Sequence, residues 1–553
     1  MDKQIKAKIQ EKLSSVFKEL TQLDVKAIVL PSKDSRLCDL FSPSAMQIAK
    51  QAHMRADELA QLVADKMQEA EELAGSIDRV EAKSGFINFF LSSDAESSFL
   101  RGILEGGDSF FSGFIPEQKR KNILLEFVSA NPTGPLSIAH ARQAAIGDAL
   151  VKILRYGGAM VSSEYYLNDV GFQIQLLGES LKARCLQVKG IESELPENGY
   201  QGAYLKDIAE QLLKERPDCL ETFSIQDFSE YAVEKILSII KKQLLDFGVE
   251  FDNWYSQKVM EEEGKVDAVL EFLKEKGLLY EKDGALWFSS SNYGDDKDRV
   301  LIKSDGAKTY FTADIAYHKD KFNRGYEFLI NIWGPDHHGY IPRLEAVIEA
   351  MGFDRKAMRV IIAQLVTLYK DGQPLKMSTR AGQYITIDEL IEQVGRDAAR
   401  FFLIMRRTNS HLDFDMDLAI KQAPENPVYY VQYAHARACR ILEMARERDL
   451  SIENISDFDI SLAQTEAEKG VLHSLRGFEN ALKSSAEDLD PFPVVNYLKD
   501  LAGDFHRFYE RCRVLGEGIE DDLAKTRLVL VFCIKEVLRI GLSLLGISAP
   551  ERM

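Results

Sequence analysis

The chain has 553 residues, 45% hydrophobic and 28% charged, with a formal net charge of −18. That length exceeds what one core supports and argues for roughly three to five domains of ordinary soluble composition. The acidic balance speaks against non-specific coating of a polyanion, though not against a nucleic acid held by local basic patches.

The first residues, MDKQIKAKIQEKL, are polar and carry no signal-peptide core. No stretch approaches the ~20 apolar residues of a membrane span. The six cysteines (Cys38, Cys185, Cys219, Cys439, Cys512 and Cys533) form no C-x-x-C pair. No structural zinc or disulfide framework is expected, and a reducing cytoplasm fits best.

Residues 1 to 115 read as an α+β module. KQIKAKIQEKLSSVFKEL and SAMQIAKQAHMRADELAQLVADKM have helical spacing, and VEAKSGFINFFLS alternates as a strand does. NILLEFVS, from Asn122 to Ser129, is apolar and β-prone and predicts a buried strand. The broken loop through Pro135 leads into a helix over 139–156, halted by Gly157-Gly158. VSSEYYLND follows as a second strand, and such a βαβ unit pairs in parallel through a right-handed crossover. Residues 180–265 read as a helical insertion. Strand patterns resume at ALWFSS, RVLIKS, YEFLINIWG and MRVIIAQLVTLY, completing the interrupted sheet. Beyond Asp417 the pattern is nearly all helical. Asn426-Pro427 predicts the N-cap and first residue of a helix through VYYVQYAHARACRILEMARE.

Ligands of an open parallel sheet bind beyond the carboxyl ends of its strands. His140 stands at the mouth of the first helix, where free N–H groups and a partial positive charge suit phosphate. The loop before it is neither G-x-G-x-x-G nor a P-loop. Alone, His140 reads equally well as a structural histidine. A second stretch, DGQPLKMSTRAGQYITIDEL, turns at Asp371-Gly372 after the last strand pattern and presents Lys376, Ser378, Thr379 and Arg380. A lysine there can meet charge developing on a leaving phosphate. Alone, this stretch reads as a solvated loop; paired with His140 it points to phosphate chemistry. Glu126, in an apolar strand, needs a partner, because unpaired buried carboxylates are costly; an internal Arg or Lys would serve. His337 and His338 are adjacent, so their side chains diverge, and no cysteine lies near. A metal site is not expected there.

The two loops together resemble the paired HIGH and KMSKS signatures of class I aminoacyl-tRNA synthetases. LLEFVSANPTGPLSIAHAR, SEYYLNDVGFQI, DKDRVLIKSDGAKTYFTADIAYHKDKF, NIWGPDHHGYIPRL, SHLDFDMDLA, NPVYYVQYAHAR and LGISAPERM narrow the resemblance to the arginyl-tRNA synthetase family, from about residue 80 to the end. It implies an α/β fold with a class I Rossmann-like catalytic core over 116–420. An N-terminal module over 1–115 would touch the tRNA corner, and an all-helical bundle over 421–553 would read the anticodon. It further implies ATP-dependent activation of L-arginine and its transfer to tRNA(Arg), with Mg2+ arriving on the nucleotide rather than in its own cage. A monomer is expected.

The resemblance also assigns residues. His140, Ser137, Lys376, Ser378 and Arg380 take the catalytic positions. Glu126 and Asp314 would hold the guanidinium, whose planar, permanently charged fork needs fixed carboxylates. Tyr310 would wall that pocket, and Asn131 would orient the α-amino and carboxylate end. Pro132, Gly134, Ala139 and His140 on one loop, Gly334, Asp336 and His337 on another, and Met377 border ATP. Tyr429, Tyr430 and Tyr433 stand at helical spacing beside Arg437 and Arg440, and His506, Arg507, Tyr509, Arg511 and Arg513 form a second group. Tyr429, Tyr433, Arg437, Arg440, Arg507 and Arg511 are expected on the tRNA, where an aromatic and basic face stacks unpaired bases; taken singly, the tyrosines read as core. The sequence departs from the signatures: Ser137 replaces the first histidine, Ala139 the glycine, and Lys376-Met377-Ser378-Thr379-Arg380 lacks the second lysine. A cysteinyl enzyme, disfavoured by the missing zinc-type cysteines, and a non-catalytic tRNA-binding paralogue are the rivals.

Overall fold

The computed structural model describes residues 2–32, 37–375, 384–452 and 457–553. In the first unit, β1 (Leu30–Pro31), β2 (Leu40–Ser42), β3 (Ile77–Lys83) and β4 (Phe86–Leu91) form an antiparallel sheet of order β1-β2-β4-β3. Two helices, α1 (Asp2–Thr21) and α2 (Ala56–Gln68), close its core through Ile9, Leu13 and Phe17 against Leu59, Val63, Ile87 and Phe89. The stretch expected as one strand, VEAKSGFINFFLS, is a hairpin. Ser84 and Gly85 both adopt left-handed backbone, φ 51° and 78°, which is what a two-residue turn between twisted strands requires. The helical stretch before it also divides, into Ser44–Ile48 and α2, with His53 between them at φ 53°.

A third helix, α3 (Ser93–Gly106), leads to the central sheet. Its strands are β5 (Asn122–Glu126), β6 (Met160–Leu167), β7 (Asn253–Ser256), β8 (Phe328–Trp333) and β9 (Met358–Ile362), in the order β9-β8-β5-β6-β7. Every pairing is parallel. The crossover helix α4 (Ile138–Tyr156) lies so close to the chain leaving β5 that a Cβ on Gly147 would stand 2.3 Å from the Phe127 ring. Only glycine fits there.

Between β6 and β7 lie α5 (Phe172–Val188), α6 (Ala203–Glu215) and α7 (Ile225–Asp246). The insertion is therefore shorter than expected, because β7, inside the stretch read as helical, forms an edge of the central sheet. ALWFSS and RVLIKS do form strands, Ala285–Phe288 and Arg299–Ile302, but of a separate antiparallel sheet with Leu279–Lys282. Short connections permit antiparallel hairpins, whereas joining the parallel sheet needs a long crossover. Next come α8 (Tyr310–Asn323) and β8. MRVIIAQLVTLY then breaks into β9 and β10 (Val366–Lys370), the latter pairing in parallel with β11 (Leu412–Asp415).

Between β10 and β11 lies α9 (Arg396–Ile404), and beyond them α10 (Pro427–Arg446), α11 (Phe492–Arg511) and α12 (Asp521–Leu544) carry the helical domain. Asn426 caps α10, its side chain accepting from the Val428 N–H at 3.2 Å, with Pro427 as first residue. One residue ties the bundle to the sheet. Arg400 of α9 is fully buried, pairs with Asp148 of α4, and donates to the carbonyls of Phe247 and Leu545, each at 3.1 Å. Among the described residues, no helix is long and apolar enough to cross a membrane.

Candidate active site

Parallel register sets four polar side chains on one rung at the carboxyl edge of the sheet. Asn331 pairs with Glu126, Glu126 with Glu164, and Glu164 with Asn253. Immediately after β5 the backbone is strained: Val128 and Ser129 adopt φ 68° and 40°, which a β-branched residue rarely tolerates. The Ser129 hydroxyl holds this corner by accepting from the Tyr166 N–H at 3.1 Å. The corner bends the chain away and opens a cavity of about 1160 Å³ above the rung.

All four residues expected at the arginine end, Glu126, Asn131, Tyr310 and Asp314, line this cavity. Asp314 carries the strongest electrostatic signature. Burial pushes its acid constant up to about 6, the Tyr340 hydroxyl that donates to it pulls downward, and neighbouring Glu126 pushes it further up. Glu126 is already paired: Lys321 Nζ lies 2.6 Å from its Oε2. The internal salt bridge that the sequence left open as an alternative is present, and Oε2 serves it while Glu126 still faces the cavity. Asn131 donates to Gln173 Oε1 at 2.7 Å, and Tyr310, first residue of α8, is 60% exposed at the cavity wall.

Of the residues expected around ATP, Ala139, His140, Gly334, Asp336 and His337 also line the cavity. Pro132 and Gly134, expected around ATP, and Ser137, expected in the catalytic set, do not line it. Ser137 is the buried N-cap of α4, and Gly134 packs beside Tyr204, whose Oη would stand 3.0 Å from a Cβ there. The Ser137 N–H donates to His140 Nδ1 at 3.1 Å, so the ring proton belongs on Nε2. Burial pushes the acid constant of His140 down to about 4 against the pull of Asp336. The imidazole is therefore a neutral donor. His337 Nε2 lies 3.4 Å from Asp336 Oδ2.

Lys376, Met377, Ser378, Thr379 and Arg380 lie outside the described residues. The described chain resumes at Tyr384, and there it is sewn to the histidine loop. Tyr384 Oη donates to the Pro135 carbonyl at 3.0 Å, Ile138 N–H to Ile385 at 3.2 Å, and Ile387 N–H to Leu136 at 3.0 Å. The histidine loop thus shares one seam with the chain from Tyr384 to Ile387.

Four site residues have no counterpart in the sequence reading: Lys321, Asn331, His318 and Tyr340. Asn331 Nδ2 donates to His318 Nε2 at 2.9 Å, while His318 Nδ1 lies 2.8 Å from the Asp314 carbonyl. Burial holds His318 well below the usual range, so it is neutral and fixes the turn bearing Asp314. The spacing Asp314, His318, Lys321 puts three polar groups on one helix face at i, i+4 and i+7, a signal legible in advance.

On the helical domain, Tyr429 and Tyr433 stack with ring centroids 5.7 Å apart. The Arg437 guanidinium lies 4.5 Å over Tyr433 and 4.4 Å over Tyr509. These side chains are only partly covered, not core. Arg440 pairs with Glu443 at 2.7 Å and Arg507 with Asp504, while Arg511 is exposed at the end of α11.

Three family models tile the chain: an arginyl tRNA synthetase N-terminal domain over 3–91, a class I tRNA synthetase (R) catalytic domain over 112–426, and a DALR anticodon-binding domain over 431–553. The arginine–tRNA ligase of Citrifermentans bemidjiense is 42% identical over 560 residues, covering 100% of both chains. That of Bacillus subtilis is 41% identical over 566 residues, covering 99% of this chain and 100% of its own. The chain belongs to the arginyl-tRNA synthetase family. As a class I ligase it activates L-arginine with ATP and charges tRNA with it. The solved arginyl-tRNA synthetase of Thermus thermophilus, 22% identical, shares the fold with a TM-score of 0.74, covering 99% of this chain and 100% of its own.

Proposed function

We propose that the cavity above the polar rung holds arginine and ATP together, with Asp314 and Glu126 taking the guanidinium and the mouth of α4 taking the nucleotide. The single observation that carries this reading is Asp314, a buried carboxylate on the cavity wall whose acid constant burial raises to about 6 and which, among the described residues, makes no ion pair of its own. A guanidinium supplies the missing charge and the donors. Asn131 orients the α-amino and carboxylate end, and Tyr310 walls the side chain.

An oxygen of the arginine carboxylate attacks the α-phosphorus of ATP, the bond to the bridging oxygen breaks, and pyrophosphate leaves with its electron pair. His140 Nε2–H, a neutral donor, meets the phosphate oxygens, with the helix N–H groups beside it. Gly334, Asp336 and His337 border the rest of the nucleotide. Mg2+ enters with ATP, and Lys376, Ser378 and Arg380 meet the departing pyrophosphate. A terminal hydroxyl of tRNA(Arg) then attacks the activated carbonyl and AMP leaves. Catalysis rests on positioning and electrostatics, with no covalent enzyme intermediate.

The module at 1–115 meets the tRNA corner and the bundle at 421–553 reads the anticodon, through Tyr429, Tyr433, Arg437, Arg440, Arg507 and Arg511. The protein works as a cytoplasmic monomer. The test is ATP–pyrophosphate exchange with tRNA(Arg) present, comparing arginine with its neutral analogue citrulline. Exchange driven by arginine and abolished in Asp314→Asn is expected; equal use of citrulline would overturn the charge-based pocket.

A further inference from the structure

Of the three carboxylates on the cavity wall, Asp336 stands with His337 on the nucleotide side, while Glu126 and Asp314 stand together, and Glu126 is already spoken for. Lys321 is fully buried, with its ammonium 2.6 Å from Glu126 Oε2 and 3.1 Å from Asn331 Oδ1, and 4.1 Å from the Tyr317 ring centroid. Those three neighbours occupy its three N–H donors, counting the ring face as a weak acceptor. Lys321 does not line the cavity, so it acts on a substrate only through Glu126. The neighbouring buried carboxylate, Glu164, has its own cation in Arg324 at 2.6 Å.

We infer that Lys321 is a specificity-determining positioning residue: by neutralising one carboxylate of a two-carboxylate pocket, it sets the deficit at one charge and fits the pocket to a single cationic side chain. The inference rests on the proposed arginine pocket and deepens it. The groups facing Asp314 are Glu126 from β5, Tyr166 from β6, Lys321 from its own helix, and His337 and Tyr340 from the turn after β8. Two arginines also line the cavity and are engaged elsewhere: Arg343 lies 4.6 Å over the Tyr340 ring, and Arg299 pairs with Asp295 at 2.7 Å. Of Glu126, Glu164 and Asp314, Asp314 alone has no lysine or arginine in direct contact among the described residues. Without Lys321, two close carboxylates would share a proton near neutral pH, and arginine would have to displace it on binding. With Lys321, the Glu126 carboxylate has a cation of its own and its Oε2 is fixed in place, leaving the rest of the carboxylate to the guanidinium.

The experiment measures arginine affinity from pH 5 to pH 8.5 with tRNA(Arg) present, for the wild type and for Lys321→Met, Glu126→Gln and Asp314→Asn. Wild-type affinity should fall with a midpoint near the acid constant of Asp314, about 6. Lys321→Met should move that midpoint up by roughly 1–3 pH units, the scale for removing an adjacent opposite charge. Glu126→Gln, which leaves Lys321 as a free positive neighbour, should move it down. A folded Lys321→Met protein with the wild-type midpoint overturns the inference, as does a shift in the same direction for both variants. Should Lys321→Met not fold, calorimetry of arginine binding to the wild type in buffers of different ionisation enthalpy decides. Release of no more than one proton near pH 6 supports the role, and release of more than one overturns it. If neither Asp314→Asn nor Glu126→Gln weakens arginine, the pocket itself falls and the inference with it. If both do while Lys321→Met keeps the wild-type midpoint, the pocket stands and only the role of Lys321 falls.

Discussion

Ser137 and His140 close a ring across the first turn of α4: the Ser137 N–H donates to Nδ1 at 3.1 Å, and its hydroxyl lies 3.2 Å from the same nitrogen. The serine stands where the family signature has a histidine, and it serves the helix and its neighbour rather than the cavity. His140→Ala should therefore lower the rate of arginine activation by roughly 10²–10³, the scale for one lost electrostatic donor. Ser137→Ala should cost about 0.5–1.5 kcal/mol of stability as a lost cap, with a smaller change in rate. Pyrophosphate exchange beside thermal unfolding separates the two. Equal rate losses in both variants would return the histidine to a structural role.

The low acid constant of His140 also fixes a sign. Its folded value, about 4, lies below the ordinary 6.5, so between those values the unfolded chain binds the proton more readily. The stability that neutral His140 contributes is complete above pH 6.5 and lost as pH falls toward 4. His140→Gln should flatten that part of the stability profile in acid unfolding. A profile identical to the wild type would place the titrating group elsewhere.

Glu126 and Asp314 should behave differently when neutralised, although both serve the same substrate group. Glu126→Gln strands the Lys321 ammonium, which is fully buried, and breaking a buried pair costs roughly 3–5 kcal/mol. Asp314→Asn strands no cation and relieves a carboxylate whose acid constant burial has already raised. Its folded value exceeds the ordinary one, so ionised Asp314 destabilises the fold above about pH 6, and the asparagine variant should be as stable as the wild type or more so at pH 7. Both should raise the arginine KM on the order of 10² or more. Melting curves at pH 7 showing equal destabilisation would contradict the pairing of Glu126 with Lys321.

How much of this was legible follows from which forces are local. The strand, loop and helix around His140 were readable, because apolar runs, Pro-Gly breaks and the Gly157-Gly158 stop act within a few residues. The cap at Asn426 was readable for the same reason. The polar rung was not: Asn331, Glu126, Glu164 and Asn253 become neighbours only through strand register, with Asn331 and Glu126 205 residues apart, and register is a property of pairing. The partner of Glu126 was foreseen as a type, an internal Arg or Lys, but not as Lys321. The edge strand β7 was missed because NWYS is too short to show a period. Ser137 takes a catalytic position by analogy with a signature, and only the hydrogen bonds to His140 reveal its capping task.

Arg400 supplies a test of how the helical domain holds the catalytic helix. Gly546 adopts φ 68°, and a Cβ there would stand 2.2 Å from the Arg400 guanidinium. Gly546→Ala should strain the backbone and push Arg400 off Asp148 and the Leu545 carbonyl, costing roughly 1–3 kcal/mol or more. Both unfolding temperature and charging rate should fall together, since Asp148 lies on the helix whose first turn carries His140. Loss of neither would remove Arg400 as the tie between the two domains.

The last prediction concerns the helical face. Arg437 is held between the Tyr433 and Tyr509 rings at 4.5 Å and 4.4 Å, and its Nη2 donates to the Tyr433 hydroxyl at 3.1 Å. Its Nη1 also lies 3.0 Å from His506 Nδ1, so among the described residues Arg437 touches rings and neutral groups but no carboxylate, and its charge is left for a phosphate. By contrast, Arg440 is engaged by Glu443, and Arg507 by Asp504, so each must break an ion pair to meet RNA. Exposed pairs of that kind are worth only about 0–1 kcal/mol, so the barrier is small but the order is set. Tyr433→Ala and Arg437→Ala should each raise the KM for tRNA(Arg) by roughly 5- to 150-fold, the range for one stacked base. Arg440→Ala should do less. The KM for arginine should not move in any of the three, because this face lies on the bundle and not on the cavity. A change in arginine KM with an unchanged tRNA KM would mean that the tyrosine and arginine cluster only braces the bundle.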